Sequence, residues 1–79
     1  MTKGEMIVFI SDNVGISKAE ADHAVDTMLN AIMSSVAKGE NVQFAGFGTF
    51  SRAIVAKRGG TATRIPRFTP GEKFKATVA

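Results

Sequence analysis

The chain has 79 residues, no cysteine and a formal charge of +3, and a chain this short buries proportionally little of its own surface. Without cysteine, neither a disulfide framework nor a cysteine-based zinc site can supplement the core, so association into a dimer is expected. No stretch approaches the roughly 20 apolar residues of a membrane helix. The apolar run from Met28 to Val36 is broken by Asn30, Ser34 and Ser35, and Lys3 is followed by Glu5 rather than by a continuous apolar block. A soluble, cytoplasmic protein with neither membrane span nor signal peptide is expected.

The charge is unevenly placed. Residues 1–40 carry three lysines against six carboxylates, a net of −3, whereas residues 41–79 carry seven cationic side chains against Glu72 alone, a net of +6. Such asymmetry points the C-terminal half at a polyanion.

Three helix starts share one local code, a hydroxyl residue followed three positions later by a glutamate: Thr2/Glu5, Ser17/Glu20 and Thr69/Glu72. Each pair can satisfy orphan N–H groups reciprocally. Helix one is predicted from about Lys3 to Asn13, with Met6, Ile7, Phe9 and Ile10 as its apolar contacts and Gly15 as its stop. Helix two is predicted from about Lys18 to Lys38. Its stripe of Ala21, Val25, Met28, Ile32 and Val36, widened by Leu29 and Met33, is broad enough to face two neighbours before Gly39 ends it.

Beyond Gly39 the pattern turns to strand at Val42 and Phe44 and again from Thr49 to Val55. Gly59-Gly60 separates two β-prone runs and predicts a two-residue hairpin turn, because both central positions of such a turn favour φ > 0. That register sets Ile54 against Ile65, Arg52 against Arg67 and Pro66 against Ala53, so Pro66 must lie on a free edge. The third helix is predicted to start with Pro70 in its first position. The expected architecture is α+β in a single domain: a helical part to about residue 40, a sheet with a projecting hairpin over about 41–68, and a C-terminal helix over about 69–79.

The order of two helices, Gly46-Phe47-Gly48-Thr49-Phe50, a basic hairpin, Arg64-Ile65-Pro66-Arg67-Phe68, Pro70-Gly71 and Phe74-Lys75 resembles the HU/IHF family of bacterial histone-like proteins. Thr2-Lys3-Gly4-Glu5 at the start and the spacing of Ile65, Pro66, Phe68 and Gly71 belong to the same resemblance. It implies an intertwined homodimer, or a heterodimer with a relative, whose β-ribbon arms reach along the minor groove of double-stranded DNA in the nucleoid. It also implies a dimer core containing Phe47, Phe50 and Phe68, to which the helix-two stripe adds Met28 and Ile32.

Affinity in such a protein comes from cations that release condensed counterions from phosphates. The expected DNA-contacting residues are Arg52, Lys57, Arg58, Arg64 and Arg67 in the hairpin, with Lys3, Lys73 and Lys75 on the body. Arg52 and Arg67, directly opposed in the predicted register, would repel unless an anion lay between them. Arginine enters narrow minor grooves, so a weak preference for A·T-rich or flexible DNA is expected.

Two departures from the family pattern bear on mechanism. Family arms carry an Asn-Pro-x-Thr-Gly type tip whose proline wedges between base pairs, yet no proline stands between Phe50 and Ile65. The hairpin is also shorter, about eight residues a side or roughly 26 Å. Either it is natively short or an arm tip is absent from the sequence; Gly59-Gly60 bisecting the segment favours the first. Ile54, Val55 and Ile65 are the only apolar wedge candidates and read better as cross-strand packing. Glu72 stands where many relatives have lysine, leaving Lys73 and Lys75 to contact backbone. These departures predict reduced bending, or alternatively a dimerisation module of weak DNA affinity that acts through a protein partner.

No catalytic, metal, cofactor or small-molecule site is expected. His23, the single histidine, has no second histidine or cysteine with which to hold zinc and reads as a surface or interface residue. Asp22 and Asp26 at i, i+4 read as a solvated helix face. No glycine-rich phosphate loop stands between a strand and a helix.

Overall fold

A computed structural model describes all 79 residues. The elements are α1 (Lys3–Val14), α2 (Lys18–Ala37), β1 (Val42–Phe44), β2 (Gly48–Ala56), β3 (Ala62–Pro70) and α3 (Glu72–Val78). The chain divides into two compact units, Met1–Ala31 and Ile32–Ala79. The division falls inside α2.

In the first unit, both predicted capping boxes form. The Glu5 amide donates to Thr2 Oγ1 at 3.2 Å while the Thr2 amide donates to Glu5 Oε1 at 3.1 Å. The same exchange at 3.0 Å in each direction joins Ser17 and Glu20. Gly15 closes α1 in the left-handed conformation, φ +80°, its N–H on the Ser11 carbonyl, a geometry with a steric penalty for any residue bearing a Cβ. Ser11 Oγ donates to the Ile16 carbonyl at 2.6 Å and tightens the turn into α2.

Hydrogen bonds from the Ser17 backbone N–H and hydroxyl hold the Glu20 carboxyl below the usual range. The stabilisation from this ionised cap is therefore present above the ordinary carboxyl pKa and is lost as pH falls through the depressed one. Glu20→Ala is expected to lower the melting temperature near neutral pH, with wild-type and variant curves converging on acidification. Parallel curves down to strongly acidic pH would show that the charge of Glu20 contributes nothing to the cap.

The second unit holds a three-stranded antiparallel sheet in the order β1-β2-β3. β1 pairs only with Gly48 to Phe50, whereas β2 and β3 pair along all nine residues. Beyond Phe50 the sheet is thus a two-stranded ribbon of six residue pairs, about 20 Å long at roughly 3.3 Å per residue. Pro66 lies on β3, the edge strand, where its missing N–H breaks no inner ladder.

The third predicted helix start is wrong. Thr69 and Pro70 belong to β3, paired with Thr49 and Gly48, and α3 begins at Glu72 with Gly71 as an N-cap that makes no side-chain bond. Its orphan donor is met from outside the helix: the Phe74 N–H bonds the Gly46 carbonyl at 3.1 Å and the Gly71 N–H bonds the Phe47 carbonyl at 2.7 Å. The β1–β2 turn therefore takes over the task that Thr69 was expected to perform.

Few side chains find a core within one chain. Ala21 and Val25 are the only buried apolar side chains, while Met6, Phe9, Met28, Leu29, Met33, Phe44 and Phe47 are among the large ones left exposed. Ile32, Phe50 and Phe68 are half-buried. So much uncovered apolar surface marks an interaction surface.

Candidate nucleic-acid interface

The ribbon ends in a three-residue turn, one longer than predicted. The Lys57 N–H donates to the Thr61 carbonyl at 3.0 Å and the Gly60 N–H to the Lys57 carbonyl at 3.1 Å. Arg58 thereby joins Gly59 and Gly60 in the loop. Gly59 occupies the third position of the β-turn at φ +106° and Gly60 follows at φ +93°, so both use the freedom that only glycine has.

The extra loop residue shifts the register by one. Arg52 faces Pro66, Ile54 faces Arg64, Ala53 faces Ile65 and Ser51 faces Arg67, which corrects all three predicted pairs. Because facing residues share a side of the sheet and neighbours alternate, Arg52 and Arg64 lie on one face and Arg67 on the other. The expected repulsion between Arg52 and Arg67 therefore does not arise. Ile54 and Ile65 do not pack across the strands, for the same reason.

The structure sorts the expected cations by what already holds them. Lys57, Arg58, Arg64 and Arg67 are exposed along the ribbon and at its tip, and no carboxylate occurs between Glu40 and Glu72. Arg52 is half-buried, its Nη1 donating to the Ala37 carbonyl at 3.1 Å. Lys3 Nζ lies 2.6 Å from Asp26 Oδ1 and 3.3 Å from Asp22 Oδ1. These two carboxylates raise the pKa of its ammonium. They are thus a paired helix face rather than a merely solvated one. In α3, Lys73 and Lys75 are exposed, with Lys75 Nζ 3.6 Å from Glu72 Oε1.

Beneath the ribbon five phenylalanines form one cluster. Phe50 and Phe68, a facing pair, have ring centroids 4.8 Å apart, and Phe68 lies 5.3 Å from Phe47. Two members were absent from the predicted set: Phe74 of α3 stacks on Phe47 at 5.2 Å, and Phe44 meets Phe50 edge-on at 6.3 Å. Phe44 was legible in principle, since the alternation of Val42 and Phe44 puts both on one face of β1. The position of Phe74 depends on the anchoring of α3 to the β1–β2 turn, which no local signal announces.

Close backbone packing holds this cluster at the root of the ribbon. A Cβ on Gly71 would stand 2.7 Å from the Gly46 oxygen and 2.8 Å from its carbonyl carbon, and one on Gly48 would stand 2.5 Å from the Phe68 ring. The ribbon, its cationic tip and the start of α3 are thereby placed by one sheet.

The family model described as bacterial DNA-binding protein matches residues 1–79. The chain is similar to the DNA-binding protein HU of Campylobacter jejuni, with 36% identity over 90 residues covering 100% of this chain and 92% of that protein. The HU protein of Geobacillus stearothermophilus is 34% identical over 89 residues, 99% of each chain. Among solved structures, HU from Anabaena in a cocrystal with DNA superposes with a TM-score of 0.94 at 30% identity, covering 100% of this chain and 98% of the other. HU from Thermotoga maritima superposes at 0.81 with 34% identity and full coverage of both chains. The alignment with the Campylobacter protein runs over 90 positions against 79 residues here, so that relative holds residues this chain lacks.

Proposed function

The chain belongs to the bacterial DNA-binding protein family, and from that premise we propose that it binds double-stranded DNA without sequence preference, as a dimer that organises nucleoid DNA while bending it less than longer-armed relatives. The observation that carries this reading is the ribbon: Lys57, Arg58, Arg64 and Arg67 all exposed, with no carboxylate along it to neutralise them. Lys73 and Lys75 extend the positive charge to α3. Lys3 contributes less, because two carboxylates already hold its ammonium.

Exposed cations on a narrow two-stranded ribbon suit a duplex backbone and the adjoining minor groove, and need no reading of base edges. Dimerisation accounts for the apolar side chains that one chain leaves uncovered, Met28, Phe44 and Phe47 among them. It also doubles every phosphate contact. The DNA cocrystal of the Anabaena relative, whose fold this chain shares, supports the same partner.

Reduced bending follows from the tip. A wedge must enter between base pairs, and the turn presents Arg58, Gly59 and Gly60, none of them apolar and bulky. Fluorescence energy transfer across a short end-labelled duplex is expected to show little shortening on saturation, and a large induced bend would sink this part of the reading. The binding itself is tested by salt titration, with log K expected to fall by about 0.9 per phosphate contact for each decade of salt. Absent or salt-independent binding would favour a dimerisation module that works through a protein partner.

A further inference from the structure

We propose that Arg52 is a positioning residue, which ties the root of the ribbon to the C-terminal end of α2, and not one of the DNA contacts; the proposal deepens the DNA-binding reading and rests on it for the role of the ribbon. The end of α2 leaves carbonyls that need partners. Two are met locally: the Glu40 N–H bonds the Ser35 carbonyl and the Gly39 N–H bonds the Val36 carbonyl, both at 2.9 Å, around Gly39 at φ +86°. This is the paired 6→1 and 5→2 closure of a Schellman motif.

The next carbonyl, that of Ala37, is the one Arg52 takes, at 3.1 Å from Nη1. α2 has no basic side chain of its own in its last turn. The guanidinium supplies from a distant strand the positive charge that a helix C-terminus favours.

Gly39 makes room for it. A Cβ there would stand 2.9 Å from Nη2 and 3.3 Å from Cζ of Arg52. The same glycine therefore serves the left-handed cap and admits the side chain that completes it.

The place of Arg52 along β2 gives the contact its consequence. β1 pairs as far as Phe50, so Arg52 sits two residues into the segment where the sheet has narrowed to two strands. An isolated two-stranded ribbon is at best marginally stable and free to twist. One charge-assisted hydrogen bond at its root restrains the direction in which the cationic tip is carried. The other ribbon cations are exposed and Arg52 is not, which is the distribution expected if one of them is structural and the rest meet a ligand.

The test uses the full chain with Arg52→Met, which keeps the aliphatic stem, and Arg52→Lys, which keeps the charge without the planar fork. Without DNA, hydrogen exchange at the Lys38, Gly39 and Glu40 amides is expected to quicken about tenfold in Arg52→Met, the change that losing a charge-assisted hydrogen bond would bring. With a short duplex, the slope of log K against log salt is expected to stay at its wild-type value. Unchanged exchange overturns the proposal. So does a fall in slope of about 1.8, two phosphate contacts per dimer. Should Arg52→Met fail to fold, Arg52→Gln, which also removes the charge, carries the same two readings, and Arg52→Lys gives the exchange reading alone. A wild-type chain that binds no duplex would defeat the functional reading while leaving the exchange result to decide whether Arg52 holds the helix end.

Discussion

Replacing both Lys57 and Arg58 with alanine is expected to weaken duplex binding by about a thousandfold at 0.1 M salt and to lower the salt slope by about 3.6, four phosphate contacts per dimer at about 0.9 each. The expectation rests on position. Lys57 closes the ladder with Thr61 and Arg58 is the first loop residue, so both are carried at the far end of the ribbon and both are exposed. Neither side chain makes a hydrogen bond or an ion pair in the free protein, so the melting temperature should hardly move. Filter binding or fluorescence anisotropy from 50 to 300 mM salt measures the slope, and a slope equal to that of the wild type would remove the tip from the interface.

Gly71→Ala is expected to destabilise the protein by at least about 2 kcal/mol per chain, the range for forcing extra volume into a packed site. Its Cβ would meet the Gly46 oxygen at 2.7 Å, the Gly46 carbonyl carbon at 2.8 Å and the Phe47 carbonyl carbon at 3.1 Å. All three are backbone atoms, so no side chain can swing aside. The clash falls on the two hydrogen bonds that anchor α3, Gly71 to Phe47 and Phe74 to Gly46. A dimer suffers it twice, which approaches the 5–15 kcal/mol net stability of a small folded domain.

Gly4→Ala is the matching control. Gly4 lies in α1, is exposed, and a Cβ there comes no closer than 3.9 Å to Thr2 Oγ1. Alanine at an unobstructed helical position is favoured over glycine by about 0.5–1 kcal/mol. Thermal melts of the two variants should therefore move in opposite directions. A melting temperature for Gly71→Ala within a degree of wild type would show that the β1–β2 turn does not approach α3 as closely as described.

Legibility divides along the range of the interactions involved. Thr2/Glu5 and Ser17/Glu20 form the bonds their spacing predicts, because each partner lies three residues from the other and needs only a helical turn to reach it. The identical spacing at Thr69/Glu72 misleads. Pairing of Thr69 with Thr49 holds that segment in the sheet, and the Gly46 carbonyl supplies what the cap would have supplied. A local code holds until a distant partner offers the backbone a better arrangement.

The ribbon shows the same division at the level of function. That residues 50 to 68 form a basic hairpin turning at Gly59-Gly60 could be read from composition and from two glycines between β-prone runs. Which arginines share a face could not, since one extra residue in the loop reverses every cross-strand assignment. Arg52 is the clearest case. In the sequence it is one of five ribbon cations, and only the approach of β2 to the end of α2 separates it from the rest.

The sequence by itself determined the two N-terminal helices, the element order, the unpaired charge of residues 41–71 and the lack of a proline at the tip, all properties of composition or of contacts within a few residues, and the order of its motifs carried the resemblance to the family. Tertiary structure alone decided the register of the ribbon, the start of α3, the places of Phe44 and Phe74 in the aromatic cluster, and the engagement of Arg52 with Ala37. The register turns on one extra residue in the loop, and the others turn on groups many residues apart coming within hydrogen-bond or van der Waals distance, a proximity that is a property of the assembled sheet.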